Sequence, residues 1–167
     1  MSTPNLQEAQ NTYSRDLVVT RKRPVITGAT TLTTAQSGAL CLWNSATGYT
    51  FILPAITANT VGTWFDFVVT VTNTATACKV ITDAATTFIT GSPLTYINNT
   101  TPGANPGPKG FLFDPAASIA VVMGGSDTTA GGIAGTHITL TAVSATLWVV
   151  TGQIVGAGTI VTPASAS

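Results

Sequence analysis

Apolar and polar residues alternate in short runs along most of the chain, which is the pattern of half-buried β-strands. In the clearest run, residues 63–71, Phe65, Phe67, Val69 and Val71 share one apolar face and the residues between them form a mixed face. Other candidate strands cover residues 25–33, 39–43, 49–53, 78–82, 87–90, 94–97, 110–113, 118–123, 137–142 and 146–153. Because no segment keeps the 3.6-residue period of a capped helix, we predict an all-β protein of roughly 8–11 short strands.

The frequent turn residues between these runs are typical of a β-sandwich, a jelly roll or a related barrel. The distribution of charged residues indicates where that body begins, because half of them fall within the first 23 positions. We therefore expect an extended N-terminal arm over residues 1–24, closed by Pro24, and a β-sandwich body over residues 25–162. Residues 163–167 are expected to form a flexible C-terminal tail.

The composition indicates a soluble protein whose surface meets other protein. Only 7% of residues are charged, against about 25% in an average protein, while Thr makes up about a fifth of the chain. The longest apolar runs, such as residues 119–123 and 147–150, are far shorter than the ~20 residues of a membrane helix. With a net charge near zero, free copies would repel each other only weakly, so we expect much of the surface to be covered in an assembly.

The two cysteines, Cys41 and Cys78, lie within strand-like runs and lack the C-x-x-C spacing of a metal site. We interpret them as two buried free thiols, and a single disulfide bridge between them is the alternative.

The residues needed for catalysis are scarce, and we expect no enzymatic activity, no cofactor and no metal site. His137 is the only histidine, it lies within an alternating run, and no G-x-S-x-G motif could pair a serine with it. The body contains no glutamate, and its four aspartates are scattered, so no carboxylate pair of the glycosidase kind is indicated. Asp83 and Asp114 stand in sequences typical of turns.

A small basic cluster, Thr-Arg-Lys-Arg-Pro, ends the predicted arm at residues 20–24. It is too short to neutralise many phosphates and has no interleaved aromatic residues, so we expect no nucleic-acid partner. An arm that contacts an acidic patch on a protein partner is the functional interpretation, with a solvated run of charges as the alternative. The candidate contact residues are Arg15, Arg21, Lys22 and Arg23.

Residues 30–69 resemble a pattern found in structural proteins of tailed-bacteriophage virions. A Leu-Thr-x-x-x-Ser-Gly opening is followed by a short strand, a Gly-x-x-x-x-Leu-Pro step and a Gly-led aromatic strand that ends in valines. The residues that carry the resemblance are Leu32, Thr33, Ser37, Gly38, Gly48, Leu53, Pro54, Gly62, Phe65 and Phe67. The pattern recurs in capsid decoration (cement) proteins, head fibres and tail-fibre modules, so the resemblance implies a β-sandwich component of a virion.

Within that group, the short chain and the absence of a repeated shaft favour a decoration protein that binds the major capsid protein. Such a protein would be made in the host cytoplasm and act on the capsid surface, and the polar N-terminus agrees because it lacks a signal-peptide core. Capsid sites come in symmetric sets, so we expect a homotrimer in preference to a dimer. The alternative is a receptor- or glycan-binding fibre module, which predicts exposed loop aromatics among Trp43, Tyr49 and Tyr96.

Overall fold

The computed structural model describes residues 23–97, 107–125 and 128–166, and these residues form thirteen β-strands. The first six strands are β1 (Val25–Thr27), β2 (Thr30–Thr31), β3 (Leu40–Trp43), β4 (Thr50–Ile52), β5 (Trp64–Val69) and β6 (Cys78–Ile81). The others are β7 (Phe88–Thr90), β8 (Leu94–Ile97), β9 (Lys109–Gly110), β10 (Ala120–Met123), β11 (His137–Ser144), β12 (Leu147–Gly156) and β13 (Ala164–Ser165). Two single-turn 3-10 helices cover Thr34–Gln36 and Ala58–Thr60.

The strands form two sheets that pack around one hydrophobic core, which confirms the predicted all-β sandwich. The large sheet has eight strands in the order β1-β3-β5-β11-β12-β8-β9, and β7 pairs with β12 beside β8. The small sheet has five strands in the order β13-β10-β6-β4-β2.

The first half of the chain winds back and forth between the two sheets. From β1 to β6 each strand lies in the sheet opposite the one before it, so β1, β3 and β5 pair in parallel, and so do β2, β4 and β6. Two of the returns to the large sheet use the same device, a 3-10 turn that ends in a left-handed glycine, Gly38 (φ 84°) and Gly62 (φ 93°). These parallel pairs depart from the antiparallel Greek keys of a jelly roll.

The interior between the sheets is dominated by aromatic side chains. The indole of Trp43 packs against the rings of Phe51 and Phe67 with centroids 5.4 and 5.6 Å apart, and Phe65 packs on Trp148 at 6.2 Å. All five side chains are fully buried. Edge-to-face and tilted ring pairs at these distances stabilise the fold by more than the burial of their apolar area alone.

The predicted boundaries of the body change at both ends. Arg23 and Pro24, assigned to the arm, belong to the body, because the Pro24 carbonyl accepts a hydrogen bond of 2.8 Å from the Leu40 amide. Ala164 and Ser165, assigned to a flexible tail, form β13 and pair with β10. The rest of the predicted arm, residues 1–22, lies outside the described residues.

Candidate interaction surface

The outer face of the large sheet combines exposed apolar side chains with a cluster of charged groups. Along β5 the side chains of Phe65, Phe67 and Val69 point into the core and are fully buried, so Trp64, Asp66 and Val68 point outward. The sequence predicts this alternation, and it holds over Trp64–Val69. Val71, predicted on the same apolar face, lies beyond the end of the strand and is 41% exposed.

The outward residues of β1 and β3 extend this face toward the sheet edge. In the ladder Val25 stands beside Leu40, which stands beside Asp66, and the next row contains Leu42 and Val68. Val25 is 59% exposed and Trp64 is 37% exposed, while Leu40, Leu42 and Val68 are half-buried. We call the surface formed by Arg23, Val25, Leu40, Leu42, Trp64, Asp66 and Val68 the β1–β5 patch.

An ion pair between Arg23 and Asp66 lies within the β1–β5 patch. The Arg23 guanidinium donates to the Asp66 carboxylate at 2.6 Å and to the carbonyl oxygens of Gly38 and Ala39 at 2.8 and 3.4 Å. It also lies over the Trp64 ring, 5.0 Å from the centroid, in a cation–π arrangement. Gly38 contacts the edge of the same ring, and its φ of 84° is the backbone conformation that favours glycine at this position.

The second oxygen of Asp66 faces β11. It accepts a hydrogen bond from the Thr139 hydroxyl and lies 3.6 Å from Nε2 of His137. Burial alone would raise the pKa of Asp66, but the hydrogen bonds from Thr139 and Arg23 and the Arg23 charge outweigh it and hold this pKa below its usual range. Asp66 is therefore a permanent anion at neutral pH, compensated by Arg23.

The proximity of His137 to Asp66 places a histidine beside a carboxylate, as in a catalytic triad, but no serine hydroxyl within the described ranges hydrogen-bonds to His137. The His137 side chain is half exposed, in agreement with its predicted position on the solvent side of a strand.

Asp114 is the turn residue that its sequence predicts, since its carboxylate accepts a hydrogen bond of 2.8 Å from the Ala116 amide. Across the described parts of the chain, no three His, Cys, Asp or Glu residues come together in a way that could hold a metal ion.

Both cysteines are free and fully buried, as the favoured interpretation predicts. Burial raises the pKa of each thiol to about 12, and for Cys41 the nearby Asp66 charge acts in the same direction. Neither thiol is ionised at neutral pH.

The three candidate glycan-binding aromatics occupy different environments. Trp43 is a core residue that donates from Nε1 to the Tyr49 carbonyl at 2.9 Å, and Tyr49 is half-buried with its hydroxyl bonded to the Leu42 carbonyl. Tyr96 alone is exposed, to 41%, and it lies on β8 instead of on a loop.

Tyr96 borders a shallow open groove with a volume of about 430 Å³ on the outer face of the large sheet. The groove lies where β8, β11 and β12 run side by side. It is lined by Leu94, Tyr96, His137, Gly152 and Gln153.

Of the predicted arm contacts, only Arg23 falls within the described residues, and the structure places it in the β1–β5 patch. Arg15, Arg21 and Lys22 lie outside them. The sequence interpretation missed Asp66 and Trp64 as partners of Arg23. Asp66 was visible as the one charge within the strongest apolar strand, a position that a carboxylate occupies only when paired.

The residues that carry the virion-protein pattern occupy structural positions. Leu32, Leu53, Phe65 and Phe67 are buried in the core. A Cβ on Gly48 would lie 2.2 Å from the Thr76 carbonyl oxygen, so only glycine fits there. The pattern therefore describes how this body folds.

Comparison with protein-family models, with curated proteins and with solved structures finds no match for this chain. In the described part of the chain, no helix has the length and apolar character needed to span a membrane.

Proposed function

We propose that this protein is a structural protein of a tailed-phage virion, a capsid decoration protein that acts as a homo-oligomer and by contact alone, without catalysis. The observation that carries this proposal is the β1–β5 patch, which exposes Val25 and Trp64 around a compensated ion pair. The resemblance over residues 30–69 supplies the virion context, and the two-sheet body is compatible with it.

The chemistry of the β1–β5 patch suits a protein partner. Trp and Arg are the residue types that most often dominate binding energy at protein interfaces, and here Trp64 and Arg23 lie in contact. The charge of Arg23 is matched by Asp66 within the same patch, so two copies could bring such faces together without net repulsion. We assign the β1–β5 patch to contacts between copies, in a homotrimer in preference to a dimer.

The major capsid protein is the second proposed partner, and the basic residues Arg15, Arg21 and Lys22 are assigned to it. Arg23, which follows these three residues in the chain, is anchored in the body. In an oligomer several such segments would engage the capsid at once, and each bound segment raises the effective concentration of the others. The protein would be made in the host cytoplasm and would act on the capsid surface.

The test uses full-length protein mixed with empty capsids and separated by sedimentation. Replacing Arg15, Arg21 and Lys22 together by Ala should weaken capsid binding by about tenfold or more while leaving the native mass unchanged. Lys109→Ala, which removes an exposed cation of the body, is the matched control and should bind as the wild type does. Unaltered binding of the triple variant would refute the role of these cations, and a wild-type protein that ignores capsids would refute decoration.

The alternative function is a receptor- or glycan-binding fibre module. Of its three predicted aromatics, the structure buries Trp43 and ties the Tyr49 hydroxyl to the backbone, so Tyr96 is the residue that could serve it.

A further inference from the structure

The groove on the outer face of the large sheet is shaped by an irregularity in β12. Strand residues normally alternate between buried and exposed, but Thr151, Gly152 and Gln153 are exposed in succession. Gly152 has a φ of +118°, and a Cβ there would lie 2.3 Å from the His137 carbonyl oxygen. Only glycine fits this position, so one side of the groove is bare backbone.

The side chains around Gly152 combine apolar surface with unused hydrogen-bonding groups. Leu94 is 46% exposed, and beside it the ring of Tyr96 stands open to solvent. The Gln153 amide makes one long contact of 3.5 Å to the Gly135 carbonyl, and its oxygen accepts no hydrogen bond from the described residues. The Tyr96 hydroxyl likewise has no hydrogen-bond partner among them. The groove therefore offers a donor, acceptors and an aromatic face within one small area.

The electrostatics of the groove select against a charged ligand. No Lys, Arg, Asp or Glu lines it, and His137 is the one titratable group on its wall apart from the phenol of Tyr96. The nearest carboxylate, Asp66, is already paired with Arg23. A phosphate or sulfate ester would find no Lys or Arg, and a metal ion would find a single imidazole.

From these features we infer that the groove between Tyr96, His137 and Gln153 is a binding site for a neutral saccharide. A pyranose ring has one face of C–H groups with partial positive charge, which suits the negative face of the Tyr96 ring, and hydroxyls at its rim that suit Gln153 and His137. The open shape suits a sugar at the end of a chain or within a polymer. This site does not depend on the proposed decoration function, and it gives the alternative, glycan-binding function a defined location and a ligand class.

The experiment is saturation-transfer NMR on the purified full chain with methyl glycosides of glucose, galactose and N-acetylglucosamine and with their disaccharides. N-acetylneuraminic acid serves as the charged comparator. We expect at least one neutral sugar to bind more strongly than the acid, with an affinity of about millimolar that is typical of a shallow site. Tyr96→Ala should weaken binding by about tenfold and Gln153→Ala by about fivefold.

Tyr96→Phe separates the ring from the hydroxyl and should retain most of the binding. Leu112→Ala removes an exposed aliphatic side chain outside the groove and should change nothing. Two results would overturn the inference: no neutral sugar binds, or binding survives Tyr96→Ala. In the first case the oligomeric state of Tyr96→Ala is measured as well, and its dissociation would assign the groove to protein contact.

Discussion

The inner and outer faces of the large sheet carry side chains of different character. On the inner face of β5, Phe65 and Phe67 are fully buried in an aromatic cluster. On the outer face of the same strand, Trp64 is exposed and Asp66 is held by an ion pair at 2.6 Å. One strand therefore packs alternate residues into the core and places the others on the outer face. If the proposed association through this face holds, stability and association should respond to different substitutions.

The largest loss of stability should come from a substitution on the inner face. Phe67→Ala removes a ring that packs on both Trp43 and Phe51, and it should lower the free energy of unfolding by about 3–5 kcal/mol, as measured by urea denaturation. Val68→Ala, one residue along on the outer face, is the matched control and should cost about 1 kcal/mol or less. Equal losses at the two positions would contradict the assignment of the faces.

The ion pair should give the next largest effect. Asp66→Asn removes the charge that Arg23 and Thr139 stabilise, and we expect a loss of about 1–2 kcal/mol in the same denaturation experiment. The loss stays below that of a deeply buried pair, because the Arg23 side chain is 42% exposed and can be rehydrated. Asp83→Asn, at an exposed bend, should change stability by less than about 0.5 kcal/mol. An identical loss in the two variants would show that the pairing of Asp66 contributes nothing.

The pH dependence should sharpen the same contrast. In the folded protein the pKa of Asp66 lies below its ordinary value of 3.8. The stability that this carboxylate contributes is therefore complete above about pH 5 and is lost as the pH falls through the folded pKa. The stability difference between the wild type and Asp66→Asn should therefore be constant from pH 7 to about pH 5 and should shrink below about pH 4. Urea denaturation of both proteins across this range measures it, and a difference that does not change down to pH 2 would exclude the lowered pKa.

The smallest effect is expected from thiol reagents on the native protein. Cys41 and Cys78 are fully buried and their pKa is raised to about 12, so Ellman's reagent should find almost no thiolate at pH 8. In denaturant without reductant both thiols should react. A denatured protein that still shows no free thiol would point to the disulfide alternative.

The positions and faces of individual strands could be predicted well from the sequence, because they follow from the alternation of neighbouring residues. The alternation over residues 63–71 predicts both faces of β5, and the runs at residues 39–43 and 78–82 correspond to β3 and β6. The run at residues 25–33 is two strands in different sheets, because Gly28 adopts a φ of +81° and turns the chain from one sheet to the other. A period-2 pattern cannot reveal such a change of sheet, since both strands have one buried face.

The candidate interaction surface was less predictable, because it depends on contacts between distant residues. Arg23 and Asp66 are 43 positions apart, and they meet because β3 inserts between β1 and β5 in a parallel arrangement. The groove has the same origin, since Tyr96, His137 and Gln153 come from three strands. The composition indicated a surface used for contact, but the strand order decides which residues form it.

The central claim, that the outer face of the large sheet joins copies of this chain, is tested most directly by native mass spectrometry of the purified wild type and of Trp64→Ala. The account predicts a wild-type oligomer, a trimer in preference to a dimer, that shifts toward monomer in the variant while the circular dichroism spectrum of the variant stays that of the folded wild type. A wild-type protein that stays monomeric at tens of micromolar, or an oligomer that Trp64→Ala leaves intact, would contradict it.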